Sequence, residues 1–174
     1  MSSAYPGVSV VLPILNEERD LKSSISAILE QSYPGEFEVI LALGPSTDRT
    51  NEIANSLHAS DERVVLVDNP TGRTASGLNA AIAKAKYPII SRIDGHAEIS
   101  KDYLKRAVNI MQETGAVNVG GIMAAVGKNT FEKAVAIAMR SPLGVGASRF
   151  HTGGSAGPAD TVYLGTFKKD ALVA

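Results

Sequence analysis

The chain has 174 residues, which is enough for one domain that buries well over half of the surface exposed by its unfolded chain. Its 17 basic and 18 acidic residues give a formal net charge of −1, which argues against a nucleic-acid partner or an electrostatic membrane anchor. The chain has no cysteine, so disulfides, zinc-thiolate sites and thiol nucleophiles are excluded, and a reducing, cytoplasmic compartment is expected.

The sequence carries no recognisable targeting or spanning segment. The first residues, MSSAYPG, lack a basic stretch followed by an apolar one, so we expect no signal peptide. No apolar run approaches the ~20 residues that a membrane-spanning helix requires. We find no internal repeat and no break in composition, so a single domain is expected over residues 1–174.

Three short apolar segments, each followed by a polar turn, begin the chain. The strands predicted from them cover residues 8–12, 37–43 and 63–67. Helical spacing of apolar residues begins near Glu18 and again at Asn51, and Ser46 or Thr47 is expected to cap the second helix. Strands that alternate with helices in this way predict a parallel sheet covered by helices on both faces.

The second half of the chain continues this alternation. The predicted elements are a loop over residues 68–77, a helix over 78–86, a strand over 87–93, a helix capped by Ser100, a strand over 117–126 and a helix over 131–139. Gly120 and Gly121 interrupt that strand and suit a bulge or close packing. Residues 140–160 are rich in glycine, serine and proline and predict a mobile loop, after which residues 161–167 return to the sheet.

The turn after the first strand reads PILNEE, from Pro13 to Glu18. A dinucleotide-binding chain would carry G-x-G-x-x-G there, because those glycines let the backbone approach a pyrophosphate. The phosphate-binding motif G-x-x-x-x-G-K is absent as well. The opening is therefore Rossmann-like, but it does not indicate a nicotinamide, flavin or ATP-hydrolysing enzyme.

The fourth predicted strand ends in Asp94-Gly95-His96. Ligands of open α/β sheets bind at the carboxyl ends of the strands, so these residues are expected at the site. Asp94 and His96 can bring an oxygen and a nitrogen to one divalent cation, which would bridge to a diphosphate whose oxygens complete the coordination. The alternative is a solvated Asp-Gly turn followed by a chance histidine.

Polar residues after the first two strands admit two interpretations. Asn16, Glu17 and Glu18 either hydrogen-bond a base or ribose, or cap the first helix and complement its dipole. The same alternatives apply to Asp48, which follows the second strand. The sequence by itself does not choose between them.

Four residues further along the chain are also candidates. Arg73 either pairs with a phosphate or is an ordinary solvated arginine. Asn79 is the polar exception on an alanine-rich helix and is expected to point inward. Arg149 and His151, in the predicted mobile loop, form either a phosphate clamp or ordinary loop surface.

Taken in order, five segments resemble the family 2 glycosyltransferases, especially bacterial members of exopolysaccharide or cell-envelope glycan assembly. The segments are VSVVLPILNEERDL, LGPSTDRTNEIA, GLNAAIAKAKYPIISRIDGHAEIS, VGG and GPADTVYLGTFKKDAL. The resemblance implies a GT-A fold, which is a Rossmann-like three-layer α/β/α sandwich with a mostly parallel central sheet. It further implies a nucleotide-diphosphate-sugar donor, with a UDP-sugar favoured, and Mg²⁺ or Mn²⁺. Transfer to a glycan or lipid-linked acceptor is expected to proceed with inversion.

The resemblance also assigns residues. Asp94-Gly95-His96 is similar to the family's D-x-D element with histidine in its third place, which implies that Asp94 contacts the ribose or the metal and that His96 is a metal ligand. The other residues that match donor-binding positions are Pro13, Asn16, Glu17, Asp48, Arg73 and Asn79.

The chain departs from the family pattern in two places. Many members have a pair of acids after the second strand, one of which contacts the base, whereas this chain has Leu43-Gly44. The family's general base, an aspartate, is expected beyond Ala174, so the chain is expected to be a donor-binding domain that is incomplete at its C-terminal end. Longer relatives often continue into membrane helices, which implies that the whole protein associates with the inner face of the membrane.

A second function class remains open at this level. The fold could be retained by a non-catalytic nucleotide-binding or interaction module whose loops bind a partner. Dependence of nucleotide binding on Mn²⁺ separates the two classes, because a partner-binding module has no need of the cation.

Overall fold

A computed structural model describes residues 5–123, 129–139, 141, 157–159 and 161–172. Its strands are β1 (Val8–Ile14), β2 (Phe37–Leu43), β3 (Val64–Asp68), β4 (Ile89–Arg92), β5 (Asn118–Gly121) and β6 (Tyr163–Lys168). Its α-helices are α1 (Leu21–Leu29), α2 (Thr50–Ser60), α3 (Thr74–Lys84), α4 (Tyr103–Thr114) and α5 (Thr130–Met139). A 3₁₀ turn, Lys169–Ala171, follows β6.

The described strands form one six-stranded sheet in the order β3-β2-β1-β4-β6-β5. The first four strands pair in parallel, whereas β6 lies antiparallel between β4 and β5. The chain therefore builds outward from β1 to β3 and then crosses to the opposite side of β1. This reversal opens a crevice at the carboxyl ends of β1 and β4, where open α/β sheets bind ligands. The predicted mostly parallel sheet is confirmed.

Side chains of β1 alternate between the two faces of the sheet and divide the core in two. Val10, Leu12 and Ile14 pack with buried residues of α1, α2 and α4. Val11 packs on the opposite face with Ala81 of α3. Because helices cover both faces, the expected three-layer α/β/α sandwich is confirmed.

Helix α3 begins at Thr74, within the stretch predicted to be a loop over residues 68–77. A buried asparagine closes the preceding turn: Asn69 Oδ1 accepts a hydrogen bond from the Thr71 hydroxyl at 3.1 Å, and its Nδ2 donates to the Arg73 carbonyl at 3.1 Å. Gly72 adopts a φ of 65°, which glycine tolerates without strain. The turn is therefore compact, and the helix starts earlier than the apolar spacing indicates.

The side-chain cap expected from Ser100 is wrong. Helix α4 begins at Tyr103, and the Ser100 hydroxyl donates to Asp102 Oδ1 at 2.9 Å. The Ser100 carbonyl accepts the Tyr103 N–H at 3.0 Å, so the residue supports the helix start through its backbone. The side chain instead helps to hold the carboxylate that precedes the helix.

The strand predicted over residues 117–126 is shorter than expected, since β5 ends at Gly121. Its pairing with β6 shifts register between Val119 and Gly121, which agrees with the bulge expected from the two glycines. A Cβ built on Gly120 would lie 2.4 Å from Val162 Cβ and 2.7 Å from the Tyr163 carbonyl oxygen, so only glycine fits there.

Several expectations fall outside the described residues. These include Arg149, His151, nearly all of the loop predicted over residues 140–160 and the last part of the strand predicted over 117–126. Among the helices that are described, none is long and apolar enough to cross a bilayer.

Gly77 lets helix α3 lie directly on the sheet. A Cβ built at this position would lie 2.7 Å from Asn69 Nδ2, 3.0 Å from Pro13 Cβ and 3.3 Å from Ala42 Cβ. Helix α3 therefore packs closely against the carboxyl end of β1. The Asn69 side chain, which closes the preceding turn, packs against Gly77 as well.

Replacing Gly77 by alanine is expected to destabilise the domain by roughly 1–3 kcal/mol, because overpacking against Asn69 outweighs the ~1 kcal/mol that alanine contributes to a helix. Urea unfolding followed by circular dichroism measures the difference. Ser76→Ala, one position earlier in α3, is the matched control and is expected to change stability little. A Gly77→Ala variant more stable than the wild type would show that helix propensity dominates.

Candidate functional site

Three loops meet at the carboxyl edge of the sheet and are called here the strand-end loops: residues 15–20 after β1, 44–49 after β2 and 93–102 after β4. The loops after β1 and β4 are neighbours because Val11 pairs with Arg92 in the parallel register. The Ile93 N–H extends that pairing to the Val11 carbonyl at 3.1 Å. The site thus joins residues about 80 positions apart in the chain.

The loops after β1 and β2 are tied together through Asn16. Its φ of 55° is left-handed, a conformation that asparagine adopts more readily than most residues. The Asn16 N–H donates to Ser46 Oγ at 3.1 Å, and its Oδ1 accepts the Thr47 N–H at 2.8 Å. Ser46 and Thr47 therefore bind the β1 loop and do not cap α2, which corrects the expectation for both residues.

Asp48 and Glu18 form a reciprocal pair of backbone contacts. The Asp48 carboxylate accepts the Glu18 N–H at 3.2 Å and the Thr50 N–H at 3.0 Å. The Glu18 carboxylate accepts the Arg49 N–H at 2.9 Å in return. Hydrogen bonds from the Thr50 side chain, and then from the Thr50 and Glu18 backbone, lower the pKa of Asp48 below its usual range. Asp48 thus supplies the capping contacts that were expected from its neighbours.

Glu17 reaches from the β1 loop to the β4 loop. Its N–H donates to the buried Thr50 hydroxyl at 2.7 Å, which fixes the backbone, and its side chain is 21% exposed. Glu17 Oε1 lies 3.0 Å from His96 Nδ1. A Cβ built on Gly95 would lie 3.1 Å from Glu17 Cγ, so Gly95 leaves the room that this contact needs.

Asp94 is held by its own strand. Its Oδ1 accepts hydrogen bonds from Arg92 Nε at 3.2 Å and Nη2 at 3.1 Å, and its side chain is 26% exposed. The Asp94 carbonyl accepts the Ala97 N–H at 3.0 Å, and the buried Ser24 hydroxyl of α1 donates to the Ala97 carbonyl at 2.9 Å. The loop that carries Asp94 and His96 is therefore anchored on helix α1.

Strand β6 adds an aromatic hydroxyl to this edge. Burial raises the pKa of Tyr163, and the negative charge of Asp94 raises it further, whereas Arg92 lowers it. Tyr163 is therefore electrostatically coupled to the Arg92–Asp94 pair. Sequence reasoning did not identify Arg92, Thr50 and Tyr163 as members of the site. Of these three, only Arg92 could have been identified from the sequence, because it lies two positions before Asp94.

The remaining predicted residues lie around α3. Pro13 faces Gly77 in the contact between β1 and this helix. Arg73 is exposed and occupies the N-cap position of α3. Asn79 is exposed as well, so the expectation that it points inward is wrong, because the close-packed face of α3 is formed by Gly77 and Ala81. These residues are not brought into contact with Asp94 or His96 by any described hydrogen bond.

Within the described residues no three histidine or acidic side chains come together as a complete metal site. Asp94 and His96 nevertheless provide one carboxylate and one imidazole from a single short loop. The Arg92 contacts fall on Asp94 Oδ1, and a carboxylate has about four lone-pair positions, so acceptor capacity for a cation remains. This donor set fits a cation that takes most of its ligands from a bound diphosphate.

The sheet topology and the strand-end loops define the chain as an α/β domain of the GT-A glycosyltransferase class. The chain belongs to glycosyl transferase family 2, whose family model matches residues 9–172. The family membership and the fold expected from the sequence are both confirmed.

Two curated relatives illustrate the match. The succinoglycan biosynthesis protein ExoA of Rhizobium meliloti is 38% identical over 146 residues, which are 83% of this chain and 44% of that protein. The glycosyltransferase AglE of Haloferax volcanii is 30% identical over 123 residues, covering 70% of this chain and 40% of that protein. The chain therefore spans less than half the length of either relative.

Solved structures show the same fold at low sequence identity. The mannosyltransferase PcManGT of Pyrobaculum calidifontis, in complex with GDP-Man and Mn²⁺, aligns with a TM-score of 0.70 and 20% identity over 98% of this chain and 47% of that one. TarS of S. aureus, in complex with UDP, aligns with a TM-score of 0.63 and 23% identity over 71% of this chain and 37% of that one.

Replacing Asp48 by asparagine is expected to lower the melting temperature at pH 7, because the Glu18 N–H would face an amide group in place of a carboxylate oxygen. The pKa of Asp48 is depressed below 3.8 in the folded chain, so its stabilising contribution is complete above about pH 5 and is lost as the pH falls through the folded pKa. Thermal unfolding of both chains at several pH values between about 7 and 3 tests this, because the difference should shrink toward acid.

The control for that experiment is Asp170→Asn, the same substitution at an exposed position after β6. It is expected to leave the melting temperature nearly unchanged across the same range. A difference between wild type and Asp48→Asn that stayed constant from neutral to acid would contradict the ionic origin of the stabilisation.

Proposed function

We propose that this chain is the donor-binding domain of a glycosyltransferase that takes a sugar from a nucleotide-diphosphate-sugar and transfers it with inversion. The acceptor is a glycan or a lipid-linked sugar, and the reaction depends on Mg²⁺ or Mn²⁺. The observation that carries the proposal is the position of Asp94 and His96 on one anchored loop in the crevice between β1 and β4.

Asp94 and His96 would hold the divalent cation, together with oxygens of the donor diphosphate. Such a cation neutralises the charge that develops on the departing nucleoside diphosphate. Arg92 keeps the Asp94 carboxylate oriented from below the loop. Complexes of related folds support the class of ligand, since PcManGT was solved with GDP-Man and Mn²⁺ and TarS with UDP-GlcNAc.

The nucleotide would lie against the loops after β1 and β2. In this proposal Pro13, Asn16, Glu17 and Asp48 line this part of the site. The proposal is supported by the contacts of Asn16, Glu17 and Asp48, which lock the two loops into one surface. The exposed Arg73 and Asn79 extend it toward α3 and would face the donor. A UDP-sugar is the favoured donor.

Position 44 offers no carboxylate for the base. Gly44 donates its N–H to the Ile14 carbonyl at 2.9 Å, and a Cβ built on it would lie 3.0 Å from that same oxygen. An acidic side chain at this position would therefore require the neighbouring β1 loop to shift by a few tenths of an ångström. In this proposal, recognition of the base falls to the backbone and to the other side chains of the loops after β1 and β2.

The transfer forms a bond between the acceptor hydroxyl oxygen and the anomeric carbon while the bond from that carbon to the diphosphate oxygen breaks. The hydroxyl proton passes to a carboxylate acting as general base, which contributes about 10²–10⁴ in rate. The residues proposed above to bind the donor and the cation do not act as this general base.

The acceptor class and the location of the reaction are proposals as well. A 25% identical relative is named as a transferase that acts on a dolichyl-phosphate-linked sugar, and ExoA is named for succinoglycan biosynthesis. These names support a glycan or lipid-linked acceptor. The lack of cysteine supports a cytoplasmic location for the reaction. A lipid-linked acceptor would bring the whole protein to the inner face of the membrane.

Calorimetric titration of the 174-residue chain with UDP and with GDP, each with and without Mn²⁺, tests the proposal. We expect binding that requires Mn²⁺ and that identifies the base. Asp94→Asn is expected to weaken Mn²⁺-dependent binding by at least about tenfold, because it removes the carboxylate proposed as a metal ligand. Thermal unfolding should show that the variant remains folded.

Glu98→Gln provides the matched control, since it removes one negative charge from an exposed position of the same loop. It is expected to bind as the wild type does. Equal affinities of Asp94→Asn and Glu98→Gln would count against the metal site, and nucleotide binding that ignores Mn²⁺ would favour the non-catalytic module.

A further inference from the structure

We infer that Glu17 is the positioning residue for His96: its carboxylate holds the imidazole with the hydrogen on Nδ1, which leaves Nε2 as the nitrogen that binds the cation. The inference rests on the proposed function, in which His96 is a metal ligand. It gives Glu17 a role different from the nucleotide contact expected from the family resemblance.

The chemistry of the contact selects the tautomer. Glu17 Oε1 and His96 Nδ1 are 3.0 Å apart, which is hydrogen-bond distance. An ionised carboxylate can only accept, so Nδ1 must carry the hydrogen. A neutral imidazole has one N–H, and the lone pair is then on Nε2. In other metalloproteins, a carboxylate that accepts the N–H of a metal-binding histidine likewise orients the ring and increases its basicity.

The Glu17 carboxylate can orient the His96 imidazole because Glu17 is the more buried residue of this pair. Its side chain is 21% exposed against 61% for His96, and its backbone N–H is bound to the Thr50 hydroxyl at 2.7 Å. Thr50 is fully buried at the start of α2. The backbone of Glu17 is therefore fixed by the β1 and β2 loops, independently of the β4 loop that carries His96.

Gly95 makes the contact sterically possible. A Cβ at this position would lie 3.1 Å from Glu17 Cγ and 3.3 Å from Glu17 Cδ, tighter than ordinary packing. A larger residue between Asp94 and His96 would press on the Glu17 side chain. The Asp-Gly-His sequence and the glutamate after the first strand thus form one arrangement, which the family's usual D-x-D element does not need because a carboxylate has no tautomer to select.

Nitrogen NMR of the metal-free chain at about pH 8, where an ordinary histidine is neutral, reports the tautomer directly. The chain has three histidines, and the His96 signals are those missing from His96→Gln. We expect the Nδ1–H tautomer in the wild type. In Glu17→Gln the amide can either donate or accept, so the tautomers should mix. Glu17→Asp keeps the charge but shortens the reach, and it should behave likewise.

The second measurement is the affinity for Mn²⁺ in the presence of saturating UDP or GDP. Glu17→Gln is expected to weaken it by about 10–100-fold, the usual effect of losing the partner of a metal-bound histidine. Glu98→Gln, which removes the same charge nearby, should leave it unchanged. An Nε2–H tautomer in the wild type, or equal Mn²⁺ affinity in Glu17→Gln and Glu98→Gln, would overturn the inference while leaving Mn²⁺-dependent nucleotide binding intact. Loss of Mn²⁺ dependence in the wild type itself would instead refute the proposed function together with this inference.

Discussion

The parallel pairing of β1 with β4 is the constraint on which the site depends. It sets Val11 opposite Arg92, so the loops that follow the two strands emerge side by side although they are far apart in the chain. The crossing of the chain from β3 to the far side of β1 creates that neighbour relation. With another strand between them, β1 and β4 would lie two inter-strand spacings apart, about 10 Å, and the side chains of Glu17 and His96 would no longer meet at hydrogen-bond distance.

The loops around this crevice share a common method of support. Carboxylates and amide oxygens of one loop accept backbone N–H groups of the next, as Asp48 and Asn16 do, so the polar groups near the site are largely satisfied within the protein. These hydrogen bonds connect the loops to one another within the protein itself. The two side chains proposed to bind the cation, Asp94 and His96, each contact one further side chain, that of Arg92 and that of Glu17 respectively.

Much of the fold was predictable because the information is local. The apolar runs of β1 and β2 and the helical spacing between them identify the strand and helix order, and the position of Asp94 at a strand end identifies the site edge. The contact between Glu17 and His96 was not predictable, since it depends on register and on the buried Thr50. The compact Asn69 turn was missed for a similar reason: a side chain closes it, and residue preferences alone indicated a longer loop.

Strand β6 also has a consequence for how the domain is assembled during synthesis. It occupies the edge of β4 and brings β5 into the sheet, and its Thr166 hydroxyl meets the Ser91 hydroxyl at 3.0 Å across a separation of 75 residues. Until β6 has been translated, the nascent domain exposes one edge of the strand that leads to Asp94. Unpaired strand edges are the places where partly made chains associate with one another. Among the described strands, pairing with β6 is therefore what removes the β4 edge as a place for such association.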